Sequence, residues 1–440
     1  MSFTTDRSRW PDVWLAATAR GVTICGDFLA ATALALALQG AGAGGLAVSG
    51  LLLAATLPLV VLAPLAGRLA DRVDSRTLLV TVGLAQAAIC ALLAVAEDPV
   101  VVVALVALLA CGLALTQPCL AALIPAMVRP ADLPRASAIS QTAVSLGALG
   151  GPVLAGLLVG QFGTRVPLLV DAVAYLALVV AGLALRTRRG GRQPAAVDSR
   201  TRPDGRVEAG SQVGPRGTGA QWRLRRDPLM LVMVVSTAVV IAAIGGINVI
   251  EVFFIREALH GSATTYGLVS AAWMAGMLPG GWIAARLARR LDDEGALVRG
   301  VLATLAVCSL MVLLAAFVPV AGLLVPLWLV GGAANGGDNV FANLLTARRV
   351  PEGMRARAYA SYGAAVQGGS MAGFLAGGAL LSVVPSRPLI AGAGVAGLLV
   401  VLAFVPVVTR TVRRERMRAW PLRAGPPSPA GTPGIRSGHG

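Results

Sequence analysis

GRLADRVDSR, Gly67 to Arg76, and ARLARRLDDE, Ala285 to Glu294, decide the fold of this 440-residue chain. Each is a short charged stretch set between long apolar runs. The two align at one constant offset, with Arg68, Leu69, Ala70, Arg72 and Asp74 answered by Arg286, Leu287, Ala288, Arg290 and Asp292. One exchange breaks the match, Asp71 for Arg289. A second pair of segments, VRPADLPRASAIS from Val128 and VPEGMRARAYASY from Val350, places Pro130 opposite Pro351, and the same offset sets Gly147 opposite Gly368. The repeat therefore spans whole halves.

Composition sets the solvent in which the halves fold. The chain is 56% hydrophobic and 13% charged, with mean hydropathy +0.76, whereas a soluble protein carries roughly 25% charged residues. A hydrocarbon core about 30 Å thick takes about 20 mostly apolar residues per helix. Twelve such stretches are expected, near 13–38, 46–66, 77–96, 100–127, 137–160, 165–185, 228–255, 264–285, 296–318, 321–346, 358–383 and 387–409. They must be helical, because lipid offers no partner to backbone N–H and C=O groups. The length of the runs and their lack of alternation argue against a barrel. The expected fold is an all-α integral membrane protein of twelve transmembrane helices in two pseudo-symmetric six-helix bundles. The bundles cover 1–185 and 228–409, joined by an Arg-rich linker, 186–227, with a basic tail, 410–440, ending in PPSPAGTPG. Such linker and tail compositions do not build a core.

All 37 basic residues are Arg. Placing the N-terminus in the cytoplasm leaves only Arg165, Arg256 and Arg387 on the far side, as the positive-inside rule requires. Both termini are expected to be cytoplasmic, in a multi-pass protein of the inner (plasma) membrane. The net charge of +16 sits in short inner loops, linker and tail, where an anionic inner leaflet explains it without nucleic acid. Met1 to Pro11 is polar and the first apolar run too long for a signal-peptide core, so no cleavable leader is expected.

Chemistry-bearing motifs of other classes are missing from the sequence. Cys25, Cys90, Cys111, Cys119 and Cys308 fall inside expected spans without metal-ligand spacing, and His260 and His439 lie in a loop and the tail. There is no GxxxxGK[ST] and no Lys at all, which argues against an ATP-driven pump. No nucleophile-and-base set points to an enzyme, and no metal or cofactor is expected. Duplicated halves with a substrate cavity between them near the midplane are the plan of several secondary transporters.

With these features the chain resembles the major facilitator superfamily over nearly its whole length outside linker and tail. Gly67, Leu69, Asp71, Arg72 and Arg76 match that superfamily's signature between helices two and three, GxLaDrxGr[KR], with Asp74 and Ser75 departing from it. The Asp74 variant, with GDFLA (Gly26–Ala30), QPCLAALIP (Gln117–Pro125) and LVDAVAYL (Leu169–Leu176), resembles a branch of drug and siderophore exporters that includes macrolide efflux proteins. Gln86 and Cys119-Leu120 replace the Arg of helix three and the Ala-Arg pair of helix four that such exporters often carry. GALGGPVLAG in the fifth span resembles the superfamily's antiporter motif through Gly147, Gly151, Pro152 and Gly156, which implies export.

The resemblance makes Gly67, Asp71, Arg72 and Arg76 a cytoplasmic gate. Asp71 is expected against the N-terminal end of the eleventh span near Ala358, where unpaired N–H groups attract a carboxylate by about 0.3–1 kcal/mol. Arg289 cannot do this in the other half, so the gate should be asymmetric.

Coupling is expected among carboxylates inside the spans, where a charged Asp costs about 2.5–3.5 kcal/mol on insertion scales and rarely lacks a role. Asp27, Asp171, Glu251 and Asp338 are the candidates. Asp27 and Asp338, one from each half, are the preferred proton-coupling groups, with Glu251 as the substitute. Asp27 lies two turns beyond Arg20, so an ion pair between them is the structural alternative. Asn335, Asp338, Asn339 and Asn343 form a polar stripe on the tenth span. That stripe, with Arg20, Phe28 and Gln86, supplies the cavity-lining candidates, and Trp273, Phe341, Tyr362 and Phe374 are further aromatic ones. The expected function is proton-coupled export of a hydrophobic or amphiphilic small molecule such as a drug, antibiotic or siderophore-like metabolite, by a monomer. The alternatives are proton-coupled import of a nutrient and a non-transporting receptor.

Overall fold

The structure is a computed structural model that describes residues 8–187, 224, 227–291 and 293–423. The expected linker segment 188–223 and tail segment 424–440 lie outside the described residues. Among the described residues the secondary structure is helical, in the order α1 (Trp10–Gly40), α2 (Gly45–Arg72), α3 (Ser75–Leu93), α4 (Pro99–Met127), α5 (Leu133–Phe162), α6 (Arg165–Ala184), α7 (Pro228–Ile244), α8 (Ile247–Phe253), α9 (Ala263–Ala288), α10 (Glu294–Ala315), α11 (Leu324–Arg349), α12 (Glu352–Leu380) and α13 (Ser386–Arg423). Helices α7 and α8 are one interrupted span, giving the twelve expected. Ten of the twelve are long and apolar enough to cross a membrane by length and composition. The other two, α11 and α12, are long enough but diluted, α11 by its Asn335–Asn343 stripe and α12 by Arg355, Arg357 and many glycines.

Several boundaries differ from the sequence expectation for identifiable reasons. The turn expected over Gly67–Arg76 is shorter: α2 runs on to Arg72, and only Val73 and Asp74 separate it from α3. Nothing in Arg68–Arg72 breaks a helix, whereas Asp74 starts one, since its side chain accepts from Thr77 N at 3.4 Å. The departure of Asp74 from the signature thus has a structural meaning as an N-cap. Its counterpart is Asp293, which accepts from Gly295 N at 3.1 Å, one residue later than the alignment places it. Helices α5 and α12 begin several residues before the apolar runs do, because Arg135, Arg355 and Arg357 carry the helix beyond the hydrocarbon region. Residues 410–423, assigned to the tail by the sequence, continue α13.

The seventh span breaks at Gly245–Gly246, where it meets the glycines of α12. A Cβ on Gly373 would stand 2.9 Å from Gly245 Cα, and one on Gly377 2.8 Å from Gly246 Cα. Only glycine allows backbones this close. A wider π turn, Phe254–Ala258, then closes the span.

Packing repeats faithfully. In the first half α1 lies on α5 and α6, α3 on α4 and α6, and α2 on α4. In the second, α7 lies on α12 and α13, α10 on α11 and α13, and α9 on α11. The halves meet through α5 with α9 and α2 with α12. Both seams lie at the ends of those helices away from the chain termini. Thr264 Oγ1 donates to Gly156 O at 3.2 Å, Ser49 Oγ to Phe374 O at 2.6 Å, and Gln39 Nε2 to Glu257 Oε1 at 3.1 Å. One apolar core runs from the first half across this face, through Ile247–Ile255, Ala263–Ala272 and Phe374, while a second core is confined to the C-terminal half. The molecule is closed on the face opposite its termini.

On the terminal face each half is held internally. Arg349, at the end of α11, reaches Asp227 Oδ1 and Oδ2 at 2.6 and 2.7 Å and Glu294 Oε2 at 2.6 Å, tying α11 to the starts of α7 and α10. In the first half Asp12 accepts from Thr187 N (3.1 Å) and Oγ1 (2.7 Å), and Asp132 from Ser8 Oγ (2.5 Å).

Candidate functional site

The buried acids form two sites, one in each half, and they are built differently. In the first half Asp27 on α1 is partly exposed and accepts from Tyr175 Oη of α6 at 2.5 Å. One turn before Tyr175, Asp171 is fully buried and accepts from Cys90 Sγ of α3 at 3.2 Å. Its second oxygen, Oδ1, is buried without a hydrogen-bond partner. Gly26 explains how Asp171 reaches α1, because a Cβ there would collide with Asp171 Oδ1. Arg20 does not pair with Asp27. Its guanidinium instead donates to Gln117 of α4 at 3.3 Å and Ser140 of α5 at 3.2 Å, so it crosslinks three helices.

In the second half Asp338 on α11 is 2% exposed, receives Tyr362 Oη of α12 at 3.4 Å, and leaves Oδ1 unpartnered. Around it the polar stripe divides: Asn335 and Asn339 are half-buried, with Asn339 Nδ2 donating to Asn335 O at 3.0 Å, while Asn343 is exposed and its carbonyl accepts from Tyr359. Glu251 on α8 is 8% exposed. It accepts from the Trp328 side chain of α11, its charge acts on Tyr266 of α9, and its Oε1 is unpartnered. Trp273 of α9 packs edge-on against Trp328, centroids 6.3 Å apart.

Gln86 is buried between α3 and α4, donating to Leu109 O at 3.4 Å beside Gly112. Phe28 is half-buried at the α1–α5 crossing, its Cβ facing Gly151. Gly67, Asp71 and Arg72 lie in the last turns of α2, where the described structure is of the backbone alone, and Arg76 is half-buried in the first turn of α3.

The glycines of the fifth span have two tasks. Gly147 and Gly151 seat α5 on α1: their α carbons face Gly21 O, Cys25 N and Cys25 O. Gly156 and the Pro152 carbonyl instead face Ala263, Thr264 and Gly267 of α9, in the seam between halves. On α12 the pattern returns with a one-residue shift, since Gly368 faces open space while Gly369 packs on Ala238 of α7 and Gly378 on Gly45 of α2. A groove of about 530 Å³ opens between α1 and α5 nearer the terminal face. Trp14, Val22, Ile139 and Leu146 line it, and Arg135, stacked on Trp10 at 4.9 Å, is the one charged residue at it.

Sequence reasoning missed Tyr175 and Cys90, and treated Tyr362 as an aromatic contact only. The i, i+4 spacing of Asp171 and Tyr175 in LVDAVAYL was the available signal.

The profile of the family described as transmembrane secretion effector, a major facilitator family, matches residues 7–423. The chain belongs to this family. It is a major facilitator transporter, not an enzyme. No curated protein matches the sequence. Among solved structures, the nucleoside transporter NupG superposes with a TM-score of 0.69 at 13% identity, covering 90% of this chain and 99% of that one. A bacterial homologue of the iron transporter ferroportin, in an inward-facing state, gives 0.68 at 15% identity over 91% and 100%. A bacterial homologue of the lysosomal transporter Spinster, inward-facing and unoccupied, gives 0.65 at 14% over 93% and 98%. At these identities the likeness is one of fold, and this major facilitator transporter shares its architecture with carriers of unrelated cargo.

Proposed function

We propose that this transporter exports a hydrophobic or amphiphilic small molecule in exchange for protons, by alternating access between its two six-helix halves, 1–185 and 228–409. The observation that carries this reading is an acid–tyrosine couple in each half, Asp27 with Tyr175 and Asp338 with Tyr362, associated with buried carboxyl oxygens that have no protein partner. A carboxyl inside a membrane is costly to keep, and one that can take up and release a proton during the cycle has a reason to be there. Export is supported by the fifth-span glycine motif and by the family's description as a secretion effector. The apolar groove with a single arginine at it supports an amphiphilic cargo. With the termini in the cytoplasm, as the arginine distribution favours, the closed face is the outer one.

The test combines a compound-sensitivity screen of a strain lacking the protein with transport in proteoliposomes under an imposed pH gradient. Compounds that become more toxic on deletion should be carried by the reconstituted protein, and Asp27→Asn and Asp338→Asn should each uncouple their transport from the gradient. If both variants still drive gradient-dependent efflux at the wild-type rate, the assignment is wrong. Gradient-driven accumulation in the opposite sense would establish an importer.

A further inference from the structure

The first-half site contains a carboxyl that the coupling scheme above does not use. Asp171 has no exposed surface, and Oδ1 has no hydrogen-bond partner. It lies against the α1 backbone at Gly26, the residue before Asp27. Asp171 acts electrostatically on Asp27, and Tyr175, one turn after Asp171 on α6, fixes Asp27 by its 2.5 Å hydrogen bond. The ionisable groups facing the pair are Cys25 from α1, Cys90 from α3 and Tyr175 from α6. From α4 and α5 no ionisable side chain acts on either acid, and Arg20 is held by Gln117 and Ser140. Two carboxyls on facing helices with no cation beside them cannot both be ionised without repulsion. A proton between them removes that repulsion and supplies the partner that Asp171 Oδ1 lacks.

We propose that Asp27 and Asp171 are one proton-binding site that holds a single proton between the two carboxyls. Asp27, partly exposed, is the member that exchanges the proton with water, and Asp171 is the sealed member that retains it. Tyr175 is a positioning residue: its hydroxyl holds Asp27 in place while Cys90 occupies the other oxygen of Asp171. One proton enters and one leaves per cycle, with no other bond made or broken. This rests on the proton-coupled reading above and adds to it a second acid and a stoichiometry of one for this half.

The test uses the purified full-length protein in lipid nanodiscs and needs no cargo. Proton uptake is measured by potentiometric titration, and the carboxyl region is followed by infrared difference spectroscopy, for the wild type, Asp27→Asn, Asp171→Asn, the double variant and Tyr175→Phe. The wild type should take up one proton more per molecule than the double variant. A broad shared-proton absorption should vanish in both single variants. A difference of two protons, or of none, overturns the proposal, as does a wild-type spectrum in Asp171→Asn. Should Asp171→Asn fail to fold, Tyr175→Phe decides, because loss of the hydroxyl must shift the shared absorption and an unchanged band refutes the site. Failure of proton coupling as such is seen separately, as transport indifferent to the pH gradient while the shared absorption persists.

Discussion

Gly156→Ala tests whether the α5–α9 seam sets the balance between the two faces of the transporter. A methyl group there would stand 2.8 Å from Ala263 O, 3.0 Å from Thr264 Cα and 3.1 Å from Gly267 Cα. All three are backbone atoms of α9, so no side chain can rotate away and the helices must part by a few tenths of an ångström. Overpacking of this kind costs about 1–3 kcal/mol. Alanine also favours the helix over glycine by about 0.5–1 kcal/mol, but that gain is the same whether the seam is closed or open. The steric cost therefore falls on the closed state alone, and at about 1.4 kcal/mol per decade it shifts the equilibrium roughly 5- to 150-fold toward seam opening. Spin labels at the exposed positions Leu157 and Leu268, with Cys25 and Cys111 changed to Ser, report the seam distance by pulsed electron resonance. The long-distance population should grow by that factor, while Gly363→Ala, which meets nothing within 4 Å, should leave it unchanged. An unaltered distribution in Gly156→Ala would refute the claim that close backbone contact at this seam holds the face shut.

Three further outcomes follow from the same geometry. Gly147→Ala pushes a methyl group into Gly21 O and should lower thermal stability, whereas Gly368→Ala, its partner in the repeat, meets open space and should be neutral or stabilising by up to about 1 kcal/mol; thermal unfolding in detergent followed by size-exclusion chromatography compares them. Arg349→Gln removes the cation that joins Asp227 and Glu294 and should cost about 1.5–3 kcal/mol for the lost charged hydrogen bonds, read in the same assay, with Glu294→Gln milder because its side chain is 36% exposed. Asp71→Asn should slow transport without reducing insertion, while Arg289→Gln should be milder; equal losses of rate in proteoliposomes would remove the asymmetric gate.

The fold was largely legible because the bilayer leaves few choices. Apolar runs of spanning length must be helices, and a repeated loop with repeated glycines tells how six of them relate to the other six. The antiporter glycines were legible as close-packing residues, yet their division between α1 and α9 was not, since helical spacing shows which residues share a face and not which neighbour that face meets. The one-residue shift that moves a packing role from Gly368 to Gly369 has the same origin. At the candidate site, Asp27 and Asp338 were visible as acids in apolar runs. The alternative ion pair of Arg20 with Asp27 looked natural at two turns on one helix, but α4 and α5 offer Arg20 the acceptors Gln117 and Ser140 instead.

The sequence by itself determined that this chain is a twelve-span membrane protein made of two related halves with acids inside both, because solvation by lipid acts residue by residue along the chain. Only the tertiary structure decided that Tyr175 meets Asp27 and Asp171 meets Gly26 across α6 and α1, that Glu251 is sealed behind Trp328, and that the seams are closed on the face away from the termini. Those features depend on contacts between residues far apart in sequence, in one case through a single glycine, Gly26, whose missing side chain leaves room for a carboxyl.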